Sequence, residues 1–168
     1  MYQTGDRVIY GVHGICQIVG IEPMRFGRVR ARYYCLQPMD HPDDRYYVPV
    51  ENKAAAAKLR SLMTRQELTE ILHSDRVHQN VWINDEAQRK IRYRELLAGG
   101  DPADLISIIY SLHRHKQEQQ NAGRKFHQCD EGFLHDAQKL LNSEFSVVFD
   151  LDPKSVDQFI LKEMGIDG

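Results

Sequence analysis

His113 and His115, with Arg114 between them and Lys116 beside them, are the densest run of metal-ligating side chains in this 168-residue chain. Residues at i and i+2 on a helix face different ways, and the two cations repel a third, so the pair is not expected to hold a metal. Cys16, Cys35 and Cys129 are scattered, form no CxxC pair and read as free thiols. Nothing marks any of them as an activated nucleophile. The paired acids, Asp43 with Asp44 and Asp150 with Asp152, fall in a turn and at a helix cap. GxxxxGK[ST], HExxH and GxSxG do not occur, so no phosphate loop, zincin site or nucleophile elbow is readable. The expectation is a binding protein rather than an enzyme. No catalytic residue, metal, cofactor or small-molecule substrate is expected.

The segment 82–94 carries more. On a helix at about 100° per residue, Ile83, Ala87, Ile91 and Ala98 align as a core stripe. Trp82, Arg89 and Tyr93 align on the opposite side, flanked by Lys90 and Arg92, with Arg94 beyond. An aromatic side chain framed by arginines suits nucleic acid: guanidinium groups meet phosphates, and the indole stacks or wedges between bases. A core tryptophan beside a solvated basic face gives the same pattern, and periodicity alone leaves both readings open.

The elements that must position these residues change character along the chain. Residues 8–10, 15–21, 32–36 and 46–50 are β-branched or aromatic and are separated by glycines and by the turn Asp40-His41-Pro42-Asp43-Asp44. So many short strands bury little unless they close, which predicts a small SH3- or Tudor-like β-barrel over 1–52. From 53 to 168 the pattern is helical. Thr64-x-x-Glu67 is a capping box. A helix is predicted over 81–98, ended by Gly99-Gly100. Asp101-Pro102 starts the next, with Leu105, Ile108, Ile109 and Leu112 on one face. Asp130 starts another, carrying Phe133, Leu134, Ala137, Leu140, Leu141 and Phe145. Asp152-Pro153 starts the last, with Val156, Phe159, Ile160 and Met164. The predicted fold is α+β in two domains, the barrel followed by an all-α bundle.

The net charge of −2 conceals a local excess. Residues 88–126 carry eight basic and four acidic side chains, whereas residues 127–168 carry three basic and nine acidic. A phosphate backbone responds to such a patch, not to the total, so nucleic-acid binding is compatible with this composition. No apolar run is long enough for a membrane span, and residues 1–6 lack the charged and apolar pattern of a signal peptide. A cytoplasmic protein without membrane contact is expected.

One set of motifs runs through nearly the whole chain. It comprises Gly5-Asp6-x-Val8-x-Tyr10, His13-Gly14 with Ile18-x-Gly20-Ile21-Glu22, Tyr34-Cys35-Leu36, Tyr47-Val48-Pro49-Val50 with Glu51-Asn52, and Leu59-Arg60. Trp82 and Leu97-Ala98-x-Gly100-Asp101 follow, then the helix bearing Leu112. In this order and spacing the chain resembles the bacterial CarD family of RNA-polymerase-binding transcription regulators, including its CdnL-type members. Its first part also resembles the polymerase-interacting module of the transcription-repair coupling factor. The resemblance implies that the barrel adds its sheet edge to the polymerase β subunit. It implies that the helical domain reaches promoter DNA at the upstream edge of the bubble, in the minor groove and with weak sequence specificity, and modulates open-complex stability. The implied DNA-binding residues are Trp82, Arg89, Lys90 and Tyr93, then Arg92 and Arg94. The segment after Trp82 is about one helical turn longer than in some members. The implied polymerase-binding residues are Met24, Arg25, Arg45 and Tyr47; Met24 and Tyr47 stand where some relatives have arginines, with Arg25 and Arg45 nearby to substitute. The resemblance places the protein in the cytoplasm, associated with the nucleoid through polymerase. The alternative is a protein-interaction adaptor with a Tudor-like barrel and no direct DNA contact.

Overall fold

The computed structural model describes residues 1–166, and these form two compact units, 1–62 and 63–166. The first is built from strands β1 (Arg7–Tyr10), β2 (Ile15–Phe26), β3 (Val29–Pro38), β4 (Tyr46–Pro49) and β5 (Leu59–Ser61), with the short helix α1 (Lys53–Ala56) between the last two. All pairings are antiparallel, in the order β4-β3-β2-β1-β5. No pairing among the described residues joins β4 to β5, so the expected barrel is an open five-stranded ladder in its hydrogen bonding. The expected division after residue 52 falls inside this unit. Strand β5 lies beyond it, pairs with β1 through Tyr10↔Leu59, and contributes Leu59 to the core.

Alternation builds that core. Val8, Cys16, Ile18, Tyr34, Leu36 and Val48 point inward, at about 1.5–3 kcal/mol for each fully buried aliphatic side chain. A register shift between Ile18 and Gly20 lets β2 keep one face inward, as Ile18 before it and Ile21 after it. Beyond that point β2 and β3 extend as a hairpin turned at Gly27, whose φ of 63° favours glycine.

The second unit holds α2 (Arg65–Leu72), α3 (Glu86–Gly99), α4 (Pro102–Asn121), α5 (Gln128–Phe149) and α6 (Val156–Glu163). Thr64 and Glu67 form the expected capping box, and Asp101 caps α4 with Pro102 at its first position. Leu105, Ile108, Ile109 and Leu112 are buried, as are Phe133, Leu134, Ala137, Leu141 and Phe145 of α5. Three helix starts differ from expectation. Asp152 caps only the single turn Pro153–Ser155, and α6 follows it from Val156. Helix α3 begins at Glu86, because the Asp85 side chain accepts the Gln88 N–H, and Trp82 therefore lies in the preceding loop. Helix α5 begins at Gln128, which frees Asp130 from capping; its side chain turns inward to 1% exposure. No helix among the described residues is long and apolar enough to cross a membrane.

Candidate functional site

The loop that carries Trp82 is held at three successive backbone positions. Val81 N–H donates to Ser111 Oγ of α4 (2.8 Å), and the Val81 carbonyl accepts from the Tyr93 hydroxyl (3.2 Å). Trp82 N–H donates to Asn80 Oδ1 (3.0 Å), and the Ile83 carbonyl accepts from Arg89 Nη1 (2.8 Å). The half-buried indole lies on the His115 ring, with centroids 3.6 Å apart and planes 17° from parallel. The Arg89 guanidinium carbon is 4.1 Å from its centroid, and Nε1 donates to Asn84 Oδ1 (2.9 Å).

Arg89 and Tyr93 require correction. Both were expected on a solvent-facing stripe, and both are buried, at 3% and 0% exposure. Side chains this buried offer a phosphate almost no surface, so the burial speaks against both as DNA contacts. The start at Glu86 removes Ile83 from the assumed apolar stripe, and the pairing of Arg89 with Asp130 of α5 lets the opposite stripe face inward. The buried row of α3 is Arg89, Tyr93 and Leu97, whereas Ile91, Ala87 and Ala98, expected in the core, are exposed. Arg89 is accommodated by a two-pronged ion pair, Nε to Asp130 Oδ1 (2.8 Å) and Nη2 to Oδ2 (3.0 Å). Burial opposes its charge, and the Asp130 carboxylate outweighs burial, so its pKa lies above the ordinary arginine value. Burial pushes the Tyr93 phenol to about 12.

The exposed basic residues of α3 divide between two flanks. Lys90 (3.1 Å from Glu86) and Arg94 share one row, and Arg92 lies about 160° around the helix from Lys90. Arg92 joins Trp82 in a groove of about 360 Å³, with Arg76, Ile83, Leu96 and Asp104 in its walls. Arg92 pairs with the exposed Glu95 at 3.4 Å, and the exposed Arg76 pairs with the half-buried Asp104 at 2.7 Å and with Asp101 at 3.9 Å. Such pairs are worth about 0–1 kcal/mol, so both guanidinium groups can transfer to a phosphate at small cost. The groove thus offers two releasable cations beside an aromatic edge. Arg76 and His115 escaped the sequence reading, because one lies before Trp82 outside the assumed helix and the other was weighed only as a metal ligand.

The first unit presents a different surface. Strand β4 ends the ladder, so its outer backbone edge pairs with no strand among the described residues. Tyr47 is 40% exposed, and its ring is 5.8 Å from Phe26, itself 48% exposed and 5.0 Å from Tyr33. Register places Met24, Phe26, Tyr33 and Tyr47 on one face. The two arginines do not join them as a pair. Arg25 lies at the hairpin end opposite Arg30, whereas Arg45 precedes the Tyr46↔Leu36 pair, about 20 Å along β3. Arg45 is folded onto its own loop, donating to the Pro42 and Asp44 carbonyls (2.6 and 2.7 Å). The Cys16 thiol is raised to about 11 by burial and then by Asp40, far from nucleophilic range.

Residues 2–63, which span the whole five-stranded ladder, match the family model of the CarD-like/TRCF RID domain. No curated protein matches the chain.

Proposed function

Since residues 2–63 are a CarD-like/TRCF RID domain, we propose that the protein is a non-catalytic transcription regulator that grips RNA polymerase with its first unit and promoter DNA with its second. The domain match carries the polymerase half. The partner strand is taken to lie on the β subunit, where main-chain hydrogen bonds to the open edge of β4 supply affinity and the Met24, Phe26 and Tyr47 face supplies selectivity. For the DNA half, the groove between Arg76, Arg92 and Trp82 supports contact at the upstream edge of the bubble. Guanidinium groups there neutralise phosphates while the accessible edge of Trp82 meets the minor groove. Lys90 and Arg94 extend the positive field on the far flank. Docking on polymerase raises the local concentration of DNA, so a weak DNA surface suffices to change open-complex lifetime. A polymerase-bound regulator of this kind works in the cytoplasm.

The test measures the lifetime of open complexes on a responsive promoter with full-length protein. Arg92→Glu with Arg76→Glu is expected to abolish the effect while binding to the β subunit persists. An unchanged lifetime overturns the DNA half; undetectable binding of wild-type protein to the β subunit overturns the polymerase half.

A second reading, an adaptor with a Tudor-like first domain and no DNA contact, draws on one observation: His115 and Arg89 already occupy the indole. It expects no salt-dependent affinity for DNA, whereas phosphate contacts weaken steeply as salt rises.

A further inference from the structure

The starts of α3 and α5 bring together three side chains of different donor type. Glu86 is the first residue of α3, His127 is the N-cap of α5, and Cys129 lies one residue further along that helix's first turn. One ligand atom from each lies within 4.8 Å of the other two. Cys129 Sγ is already 3.6 Å from Glu86 Oε1. His127 makes no side-chain capping bond, and its ring has no hydrogen-bond partner among the described residues. The spacing is set from beneath, because the buried Arg89–Asp130 pair ties the same two helix starts together.

We infer that Glu86, His127 and Cys129 form a binding site for a borderline-soft divalent metal ion of the zinc class. The donor set argues for that class. A thiolate and an imidazole select Zn²⁺ over Mg²⁺ or Ca²⁺, which take oxygen ligands. With bonds of about 2.0–2.3 Å, tetrahedral zinc separates its donors by about 3.4–3.6 Å. The sulfur–oxygen pair meets that separation, and the exposed His127 ring closes the rest by rotation. Water completes the fourth position. Lys90 contacts Glu86 at 3.1 Å and is displaced to solvent when the metal binds. Because the ligand is a thiolate, the ion replaces a proton: the S–H proton leaves to water as the metal–sulfur bond forms, and affinity rises with pH. The bound ion would staple α3 to α5 one turn from Arg89, and hence next to the support of Trp82.

The reduced, full-length protein is titrated with Co²⁺ and followed by absorption. The expected result is one equivalent bound, a thiolate-to-cobalt charge-transfer band, and loss of that band on adding Zn²⁺. Cys129→Ser is expected to remove the band, and His127→Ala to weaken binding by about tenfold or more. Cys35→Ser is expected to leave both unchanged. Zn²⁺ is also expected to slow alkylation of Cys129 in the wild-type protein, a readout that needs no variant to fold. No charge-transfer band with the wild-type protein, a band that survives Cys129→Ser, or alkylation of Cys129 indifferent to Zn²⁺ each overturns the site.

Discussion

Replacing Arg89 by methionine leaves the Asp130 carboxylate 1% exposed with no cation to answer it. Breaking a buried pair from one side costs about 3–5 kcal/mol, because the surviving charge keeps its desolvation penalty. The change also removes the hydrogen bond to the Ile83 carbonyl and the cation over the indole. Those losses overlap with the first, so about 4 kcal/mol is the working figure. With a urea m-value of about 2 kcal/mol/M, the midpoint falls by about 2 M. The protein supplies its own probe, since Trp82 is the sole tryptophan and rests against Arg89. Its fluorescence follows unfolding of the second unit. Arg89→Met with Asp130→Leu removes both charges, leaves neither orphaned, and is expected to recover most of the loss. A single-variant shift below about 0.5 M, or a double variant that merely adds the two singles, refutes this account of the buried row.

Four further outcomes are expected. Arg92→Glu lowers the affinity of the full-length protein for duplex DNA and reduces the salt slope by about one phosphate, as read by anisotropy across a salt series. Tyr47→Glu weakens binding to the polymerase β subunit by about tenfold or more in a pull-down titration, while the melting temperature stays near wild type. Trp82→Phe keeps an aromatic ring on His115 and shortens open-complex lifetime if the indole edge reaches DNA; an unchanged lifetime leaves Trp82 a purely structural residue. His113 and His115 are both held below the ordinary histidine pKa of 6.5, by burial first and then, for His113, by Lys116. Below pH 6.5 the unfolded chain takes up protons that these two folded-state rings refuse, so they make stability fall as pH drops through that window. His78 works the other way. Hydrogen bonds to the Ser74 and Met164 carbonyls raise its pKa, so its contribution is present below 6.5 and fades as pH rises through its folded value. His113→Leu is expected to flatten the acid side of the stability profile, measured by urea midpoints at stepped pH.

Much of this fold was legible from local chemistry. The strand alternation around Val8 and Leu36, the Thr64 capping box and the Asp101-Pro102 start each satisfy nearby backbone groups, so they hold whatever packs around them. The ladder's fifth strand was missed because Leu59–Ser61 is too short to declare itself and exists only through pairing with β1. In the candidate site, the sequence reading put Arg89 and Tyr93 on the wrong face. A core stripe of Ile83, Ala87 and Ile91 follows from hydrophobicity if the helix begins at 81. The structure instead starts it at Asp85, a cap with Gln88 three residues on, a signal present in the sequence and passed over. An arginine is expected outside unless a partner is known, and Asp130 lies far along the chain and looked like a cap. That long-range pairing was not readable from spacing. Arg92 was named as a contact, but Arg76, its companion in the groove, belongs to a turn that no helical projection reached.

The loop that carries Trp82 has already surrendered its freedom. Ser111, Tyr93 and Arg89 hold its backbone at residues 81 and 83, and Asn84 orients the indole. A mobile segment loses about 1–2 kcal/mol of backbone entropy per residue when it orders on a partner. Here that loss was settled when the chain folded. On the proposed function, the tryptophan meets DNA as a rigid tool, and severing one of those bonds should weaken binding through entropy while leaving every contacting side chain in place.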